Sequence, residues 1–311
     1  MGKSILKTIQ SYKEISDLLT YHSKYGERFA KHDCRNVFEK ARKDLLSVGV
    51  NNLKDRNVLD LGCGQRFPFA LQCSAVGANV TALDLDYVKP DILPIAFIKI
   101  CKHNGLKRAF KSILRRILFD RNYYNALNKA AGKRLGEFSS FIKFIVADPR
   151  VEKYPIPSES FDLIASNAVV EHVENVSIFA KEIYRLLKCG GLFYANIHNY
   201  YSLSGGHNLD WAFPDENPSE RVPPWDHLRK NRFFSDVPLN RLIPEEYKKA
   251  FSKHMALMSF EGRDINHDPG GFEGERFLTP EIEIELKDYP RKLLLTRLWL
   301  VICRKREDTN N

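Results

Sequence analysis

The segment Asn57-Val-Leu-Asp-Leu-Gly-Cys-Gly64 constrains the fold of this chain more than any other part of its sequence. A short apolar run ends in an acid and then in two glycines two residues apart, and a second run, Asn79 to Leu83, ends in Asp84. This pattern predicts a buried parallel strand, a tight turn where a ligand meets bare backbone, and a second strand whose terminal carboxylate can hold two ribose hydroxyls. The sequence therefore predicts a nucleoside site on an α/β sheet.

The position of a third glycine distinguishes between nucleoside ligands. A pyrophosphate that lies on a helix start needs the pattern G-x-G-x-x-G, but this chain has Arg66 and Phe67 where that glycine would stand. A ligand without phosphates does not need the small residue. S-adenosylmethionine has adenine, ribose and an amino acid tail but no phosphate, and it therefore fits the turn better than a dinucleotide does.

The sequence beyond Val58 alternates between strand and helix patterns, which predicts a parallel sheet. The strand candidates are 57–61, 79–84, 141–147, 161–166 and 191–197, with a last buried strand at 296–303. A helix is predicted for 177–188, with Ser177 as its N-cap and the glycines at 190 and 191 as its stop.

Two stretches do not belong to this alternating core. One is the basic segment 87–140, which stands where a simple core would place a single helix, and the other is 198–250, which is rich in His, Trp, Pro and Tyr. We divide the chain into an N-terminal helical cap, 1–55, and a domain, 56–311, that carries both insertions. We expect the core to bind the nucleoside and the insertions to select the substrate.

Two further motifs end at the same edge of the predicted sheet. Phe144-Ile-Val-Ala-Asp148 would end the third strand with a carboxylate that can accept a hydrogen bond from the adenine amino group. Ser160-Phe-Asp-Leu-Ile-Ala-Ser-Asn167 would form the fourth strand, and 166–173 is expected to open the next helix. Ligands of open α/β sheets bind beyond the carboxyl ends of the strands, so these motifs, Gly62 and Asp84 all point at one crevice.

The set of motifs D-x-G-x-G, a downstream Asp, Ala-Asp, F-D-L-I-x-S-N-x-x-x-E-H-V and L-K-x-G-G is similar to class I S-adenosylmethionine-dependent methyltransferases, in their small-molecule branch. The resemblance covers about residues 55–200 and, more loosely, the final strand. It implies a Rossmann-like, doubly wound, mostly parallel seven-stranded α/β sheet and S-adenosyl-L-methionine as the cofactor. The residues that it implies for cofactor binding are Asp60, Gly62, Gly64, Asp84, Leu85, Asp148, Pro149 and Asn167.

The resemblance also implies a role for each part of this set. Asp60 and the two glycines would pass under the methionine part, Asp84 would hold the ribose, and Asp148 with Pro149 would flank the adenine. Asn167 stands at the motif's substrate-facing position. Because the chain lacks the third glycine that the family often has, a catalytically silent S-adenosylmethionine-binding partner protein is an alternative to an enzyme.

Methyl transfer to a hydroxyl needs a proton acceptor, and histidine is the natural base near neutral pH. Our order of catalytic candidates is His207, then His227, then His198, because the first two lie in loops that look substrate-specific. His172 belongs to the Glu-His pair that the family shares, which favours a scaffold role. For each of these residues the alternative is an ordinary loop histidine.

The loops S-G-G-H-N-L-D-W and P-P-W-D-H-L-R resemble methyltransferases found with bacterial polysaccharide and natural-product genes. Trp211 and Trp225 either offer flat faces to a pyranose or pack these loops onto the core. We predict transfer to an oxygen of a small-molecule, saccharide or glycolipid acceptor. An RNA methyltransferase is the alternative enzyme, although the RNA-methylating motif Asn-Pro-Pro-Tyr is absent from the fourth strand. No ligand spacing supports a metal site.

The segment 87–140 carries the whole charge excess of the chain, since its twelve Lys or Arg and three acids equal the net charge of +9. Within it the apolar residues recur at helical spacing between basic ones, namely at Leu106, Phe110, Ile113, Leu114 and Ile117. The simplest interpretation is a lid helix packed on its apolar side. The other interpretations are contact of 106–121 with an anionic membrane or with a phosphorylated substrate. Nothing in the chain resembles an RNA-binding module.

The sequence favours a cytoplasmic protein. Its N-terminus is too polar for a signal peptide, and no apolar run approaches the roughly 20 residues of a membrane span. The six cysteines are scattered without a C-x-x-C pair, which indicates reduced thiols rather than a disulfide framework or a metal site.

Overall fold

The computed structural model describes residues 22–148, 153–233, 235 and 237–306. The strands of these ranges are β1 (Asn57–Leu61), β2 (Asn79–Asp84), β3 (Lys143–Val146), β4 (Phe161–Asn167), β5 (Leu187–His198), β6 (Ala256–Arg263) and β7 (Leu298–Arg304). They form one seven-stranded sheet with the order β3-β2-β1-β4-β5-β7-β6. The doubly wound, mostly parallel sheet predicted from the sequence is confirmed.

The first five strands run parallel, and β7 lies antiparallel between β5 and β6. Leu61 at the end of β1 lies opposite Leu83 of β2 on one side and Ser166 of β4 on the other. The chain therefore leaves β1 at the point where the strand order reverses. Open α/β sheets bind their ligands at this point, and the ends of β1, β2 and β4 surround it.

Helices cover both faces of the sheet. The α-helices of the described ranges are α1 at 22–32, α2 (Glu39–Ser47), α3 (Pro68–Ala75), α4 (Leu93–Asn104), α5 (Leu106–Arg115), α6 (Arg121–Ala131), α7 (Val176–Leu186), α8 (Pro244–Ser252), α9 (Pro280–Glu285) and α10 (Arg291–Leu295). A π-helical turn, Asp33–Phe38, joins α1 to α2, and a second one, Arg116–Asp120, joins α5 to α6.

The core lies on both faces of the sheet because the central strands are apolar on both sides. Val58 of β1 belongs to a cluster with Ala41 of α2 and Ala70 of α3, whereas Leu59 and Leu61 belong to a cluster that includes α7. Strands buried on both faces read as unbroken apolar runs, and this is why the bounds of β1 and β2 agree with the sequence prediction.

The helix predicted for 177–188 forms, but its ends differ from the prediction. α7 begins at Val176, and its N-cap is Asn175, whose side chain accepts a hydrogen bond from the Ile178 amide at 3.1 Å. Ser177 is therefore not the cap. The helix ends at Leu186 because Leu187 already has extended backbone and begins β5.

Two other local predictions fail. The stretch 166–173 does not open a helix, because β4 continues to Asn167, Ala168 has a φ of 54°, and Val170–His172 form only a short 3₁₀ turn. β6 was not predicted; it is an edge strand that is mostly half-buried and contains polar residues and Gly262. Its pattern lacks the apolar run of the central strands.

The basic insertion folds into α4, α5 and α6. The buried residues of α5 are Ala109, Ser112 and Arg115, whereas Leu106 and Phe110 are 70% and 55% exposed. Ile113 of the apolar stripe packs partly against α4, but Leu106, Phe110 and Ile117 are exposed, so α5 buries only part of its apolar side.

Among the residues that the structure describes, no helix is long and apolar enough to cross a membrane. All six cysteines are free thiols.

Candidate active site

A cavity of about 790 Å³ lies at the carboxyl ends of β1, β2 and β4. Its volume is in the usual range of ligand pockets, roughly 300–1,000 Å³. The sequence-predicted site residues that line it are Asp60, Gly62, Gly64, Asp84, Asn167 and His198. The structure therefore brings most of the predicted cofactor set, and one predicted catalytic histidine, to a single cavity.

The two glycines of the turn after β1 have different reasons to be glycine. Gly62 has a φ of 75°, and a Cβ there would lie 2.2 Å from Cγ2 of Val169, so no side chain fits. Gly64 has a φ of 68°, and its added Cβ would meet open space. The backbone at Gly64 is thus exposed to the cavity, as close approach of a ligand requires.

Asp84 closes the turn from the end of β2. Its Oδ2 accepts a hydrogen bond from the Gly64 amide at 2.8 Å, and its Oδ1 accepts one from the Asp86 amide at 2.9 Å. Burial raises the pKa of the Asp84 carboxyl, against the lowering effect of these two bonds. Each carboxylate oxygen keeps a lone pair, so Asp84 can still accept two hydroxyl hydrogen bonds from a ligand.

Asp60 is 2% exposed and supports the turn from below. Its Oδ2 accepts a hydrogen bond from the Ala70 amide in the first turn of α3 at 3.0 Å. Burial raises the pKa of this carboxyl to about 7. The position where a third glycine was missing is filled by Phe67, which is buried, has a φ of 37° and precedes Pro68 at the start of α3.

The remaining residues predicted for cofactor binding are Leu85, Asp148 and Pro149. Leu85 is 46% exposed and Asp148 lies just beyond β3, and neither is among the residues that line the cavity. Pro149 lies outside the described residues. The cofactor roles of these three residues therefore stay predictions.

The opposite side of the cavity is lined by polar side chains from β4, β5 and the residue before β7. Asn196 Nδ2 donates to Asn167 Oδ1 at 2.8 Å, while Asn196 Oδ1 is buried and has no hydrogen-bond partner among the described residues. Arg297 also lines this side and donates to the Glu273 carboxylate. This region offers amide and guanidinium groups to a second ligand.

A continuous series of hydrogen bonds, which we call the histidine relay, leads away from this region. His207 Nε2 lies 3.0 Å from His198 Nδ1, and His198 Nε2 lies 2.9 Å from Ser204 Oγ. Ser204 Oγ donates to Glu273 Oε1 at 2.8 Å. Glu273, the last member, is 1% exposed and ion-paired with Arg297.

The relay determines which ring nitrogens carry hydrogen. Ser204 donates its only hydroxyl hydrogen to Glu273. Its oxygen must therefore accept the hydrogen bond from His198 Nε2, so His198 carries its hydrogen on Nε2. A neutral His198 accepts at Nδ1, so His207 donates from Nε2. In neutral His207 the lone pair is therefore on Nδ1, which has no hydrogen-bond partner among the described residues.

Both histidines of the relay are neutral at pH 7. Burial and neighbouring cations lower the pKa of His207 to about 4 and lower the pKa of His198 well below its usual range. His207 also has a φ of 54°, a left-handed conformation that is strained for a residue other than glycine. The His172 ring packs against it at 5.0 Å, and His172 Nδ1 contacts the Pro238 carbonyl.

His227 does not join this site. Its Nε2 donates to the Tyr200 carbonyl at 2.8 Å. Neither His227 nor His207 is among the residues that line the cavity; of the three candidate bases, His198 lines it, and His207 reaches it through His198. A Cβ on Gly206 would lie 2.7 Å from the His227 ring, so the ring packs directly under the loop that carries His207. His227 therefore supports the loop that carries His207, and its use as a base stays a prediction.

The two tryptophans of the loops are buried rather than exposed to a sugar. Trp211 is 3% and Trp225 0% exposed, and both belong to a small core beneath the loops. Trp225 Nε1 donates to the Tyr201 carbonyl at 3.1 Å. Of the two interpretations of these residues, the packing one is correct.

Glu171, His198 and His207 could hold a metal ion, because one ligand atom from each lies within 4.8 Å of the others. Glu171 is 1% exposed, and neither of its carboxylate oxygens makes a hydrogen bond of good geometry within the described chain. Burial raises its pKa to about 8, so it holds a proton at neutral pH. A protonated carboxyl is a poor metal ligand.

Sequence reasoning missed Asn196, Ser204, Glu273 and Arg297. Ser204 lies in the loop that includes His207, so its sequence proximity was a usable signal. Glu273 and Arg297 reach the site from near the end of the chain and belong to no local motif.

A sequence profile described as a methyltransferase domain matches residues 32–242. Among solved structures, an S-adenosylmethionine-dependent methyltransferase from Mesorhizobium loti is similar at 18% identity, with 85% of this chain and 98% of that chain covered and a TM-score of 0.46. A geranyl diphosphate C-methyltransferase from Streptomyces coelicolor, in complex with Mg²⁺, geranyl diphosphate and S-adenosyl-L-homocysteine, is similar at 13% identity, with 86% and 77% covered and a TM-score of 0.45. Comparison with curated proteins finds no match.

Proposed function

Because this chain belongs to the methyltransferase-domain family and is an S-adenosylmethionine-dependent methyltransferase, we propose that it methylates a hydroxyl oxygen, with His207 as the base. The observation that carries the proposal is the histidine relay beside the cofactor cavity. The class of acceptor that we propose is a saccharide or another molecule rich in hydroxyl groups.

The cofactor fits the turn and the strand end that border the cavity. The open backbone at Gly64 suits the methionine part, and the free lone pairs of Asp84 suit the ribose hydroxyls. When bound, S-adenosylmethionine supplies an electrophilic methyl group on a positively charged sulfur. The protein then has to align the acceptor oxygen with that group and to remove the hydroxyl proton.

The relay suits proton removal beside a positive charge. A neutral His207 avoids repulsion with the sulfonium, and its Nδ1 lone pair is the one that can accept a proton. The imidazolium that forms would donate from Nε2 to His198, whose other nitrogen is held by Ser204 and, behind it, the Glu273 carboxylate. Because the sulfur loses its charge as the methyl group leaves, the site gains no net charge.

The acceptor side of the cavity supports a hydroxyl-rich substrate. Asn167, Asn196 and Arg297 offer hydrogen-bonding groups there, and one oxygen of Asn196 is unpaired within the described chain. Since Trp211 and Trp225 are buried, we expect the acceptor not to stack on these two residues.

The test of the base is replacement of His207 by glycine, which accepts its left-handed backbone without strain. We expect turnover to fall by at least about 100-fold, as loss of a general base does, with cofactor affinity within about twofold. Added imidazole should restore part of the rate by filling the vacated space. Ser204→Ala should also slow turnover, whereas Ser74→Ala, which changes a buried serine of α3 outside the relay, is the matched control. Full activity of His207→Gly would refute the assignment.

The acceptor is tested with radiolabelled cofactor on bacterial glycan extracts and on total RNA. We expect label in the glycan that survives nuclease, and an O-methyl signal in the NMR spectrum of the purified product. Label that nuclease releases would support an RNA methyltransferase, and label on carbon would refute a hydroxyl acceptor. Cofactor binding without turnover on either extract would favour a silent partner protein.

A chelator distinguishes the relay from a metal site at Glu171, His198 and His207. The two histidine nitrogens already bond to each other at 3.0 Å, so we expect turnover to be unchanged by EDTA. If EDTA abolished activity and zinc or magnesium restored it, the acceptor oxygen would be activated by a bound metal ion and not by His207.

A further inference from the structure

We propose that α4 and α5 dock this protein on the surface of an anionic lipid bilayer and bring the cavity to a lipid-anchored acceptor. The evidence for docking comes from the surface of the two helices alone. The acceptor part rests on the proposed function.

The first observation is the concentration of exposed large apolar side chains on this segment. Of the seventeen such residues in the described chain, eight lie between positions 92 and 118. They are Ile92, Leu93, Ile95, Ile98, Leu106, Phe110, Ile117 and Leu118, and each is between 43% and 70% exposed. A contiguous stretch of this kind marks an interaction site, because soluble proteins seldom leave so many large apolar residues in water.

The second observation is that α4 and α5 pack against each other through only a few residues. Ala96 and Ile100 of α4 and Ala109 of α5 form their own buried cluster. Ile113 packs partly against this cluster, and Ser112 and Arg115 take the other buried positions of α5, so Leu106 and Phe110 remain exposed. Other residues of α4 and α5 already make the buried contacts between these helices and the rest of the protein. The exposed apolar residues are therefore not needed for packing within the described chain.

The third observation is the excess of positive charge on this segment, which indicates that the surface it contacts is anionic. From Lys89 to Arg121 the chain has nine Lys or Arg and only two acids. Asp91 is ion-paired with Lys99, and Asp120 is buried between Arg66 and Arg115. Apolar residues interleaved with lysines and arginines on a short helix are the pattern of a helix that lies in the interface of an anionic bilayer. A neutral protein partner would not require this excess of positive charge.

The fourth observation connects this surface to the cavity. Arg108, Lys111, Ser112 and Arg115 of α5 line the cavity, while Leu106 and Phe110 of the same helix are exposed. One helix therefore borders the cofactor cavity and presents apolar residues to the outside. A bilayer that contacts α5 would lie beside the cavity, where a headgroup held in that bilayer could reach it.

The test is co-sedimentation of the full chain with vesicles of phosphatidylcholine and with vesicles that also contain phosphatidylglycerol. We expect binding to the anionic vesicles only, weakened by high salt. Ile98→Ser with Phe110→Ser should lower the partition coefficient by at least about tenfold, because two large side chains lose their burial in the bilayer. Lys102→Glu with Lys107→Glu should lower it as well.

Matched pairs on other surfaces are the controls. Met258→Ser with Ile284→Ser removes exposed apolar residues elsewhere, and Lys230→Glu with Lys287→Glu reverses exposed charges elsewhere. Both pairs should bind vesicles like the parent. Equal losses in the controls, no binding by the parent, or a dimer that Ile98→Ser with Phe110→Ser dissociates would overturn docking. Vesicle binding combined with no methylation of hydroxyl acceptors would leave docking intact and refute the proposed function.

Discussion

Asp84 has two tasks because each oxygen of a carboxylate can accept two hydrogen bonds. Its bonds to the Gly64 and Asp86 amides hold the turn after β1 against the end of β2. Its remaining lone pairs border the cavity, where ribose hydroxyls would donate. The same residue therefore shapes the turn and, as we propose, binds the ribose of the cofactor.

We predict that Asp84→Ala lowers the affinity for S-adenosylmethionine by at least about tenfold. The variant loses two charge-assisted hydrogen bonds to the ribose, each worth about 1.5–3 kcal/mol, and it also loosens the turn. Isothermal titration calorimetry measures the effect, with Asp91→Ala in the basic insertion as the control. Unchanged affinity would remove Asp84 from the site, and we expect NAD not to bind either protein.

The sequence was sufficient for the residues whose chemistry is local. Gly62, Gly64 and Asp84 belong to short motifs in which strand, turn and ligand are read together, and all three reach the cavity. Glu273 and Arg297 were not predictable, because only the folded sheet brings them to His198. The burial of Trp225 could not be predicted either, because the sequence of a polar loop does not show whether its aromatic residue packs on the core or faces the solvent.

Two arginines connect the cofactor turn to the basic insertion. Arg66 of the turn donates to Asp120 at 2.7 Å, and Arg115 at the end of α5 donates to both Gln65 and Asp120. Tyr124 of α6 donates to the Arg66 carbonyl at 3.1 Å. The helices of the insertion therefore hold the turn after β1 in place through Gln65 and Arg66.

We predict that Asp120→Ala is strongly destabilising. Asp120 is 7% exposed, and its removal leaves Arg66 and Arg115 close together without a counter-charge. Loss of one partner from a buried ion pair typically costs about 3–5 kcal/mol of unfolding free energy.

Urea denaturation measures this loss. Glu275→Ala, which breaks an exposed pair with Arg291, is the control and should be nearly silent. If the two variants lost equal stability, the Asp120 pairs would be no more than surface contacts.

The strands that are most buried were predicted most accurately from the sequence. β1 and β2 are enclosed on both faces, and their apolar runs gave correct bounds. β6 lies at the sheet edge with mostly half-buried residues, so the periodicity that would identify it is weak. The amphipathic pattern of α5 predicted a helix correctly but not which face is buried, because pattern alone does not distinguish a protein core from another apolar surface.

Many titratable groups of the described chain are buried, some of them in the cavity. Burial lowers the pKa of His22, His32, His198, His207, His227 and His267. Burial also raises the pKa of Asp33, Asp60, Asp84 and Glu171. The site is therefore nearly free of buried charge from these groups at neutral pH, which suits a positively charged cofactor.

We predict that the protein loses stability as the pH falls from about 6.5 to about 4. In this window the histidines of the unfolded chain are protonated while the buried ones, with lowered pKa values, are not, so unfolding takes up protons. The buried carboxyls act in the opposite direction, because they hold protons in the folded state that the unfolded state releases. Six histidines outnumber four carboxyls, so we expect the melting temperature at about pH 5 to lie below that at pH 7 in scanning calorimetry. A higher melting temperature at the lower pH would contradict this balance.

Glu171→Gln separates the two opposing contributions. Burial raises the pKa of Glu171 from its ordinary value of 4.5 to about 8, so the folded state at pH 7 holds a proton that the unfolded state gives up. This costs stability that increases as the pH rises from about 4.5 to about 8. Glutamine has nearly the same shape and no proton to hold, so we expect the variant to be more stable than the parent at pH 7 to 8, with the gain vanishing near pH 4. A variant that is less stable than the parent at every pH would show that the carboxyl makes a hydrogen bond or metal contact that an amide cannot replace.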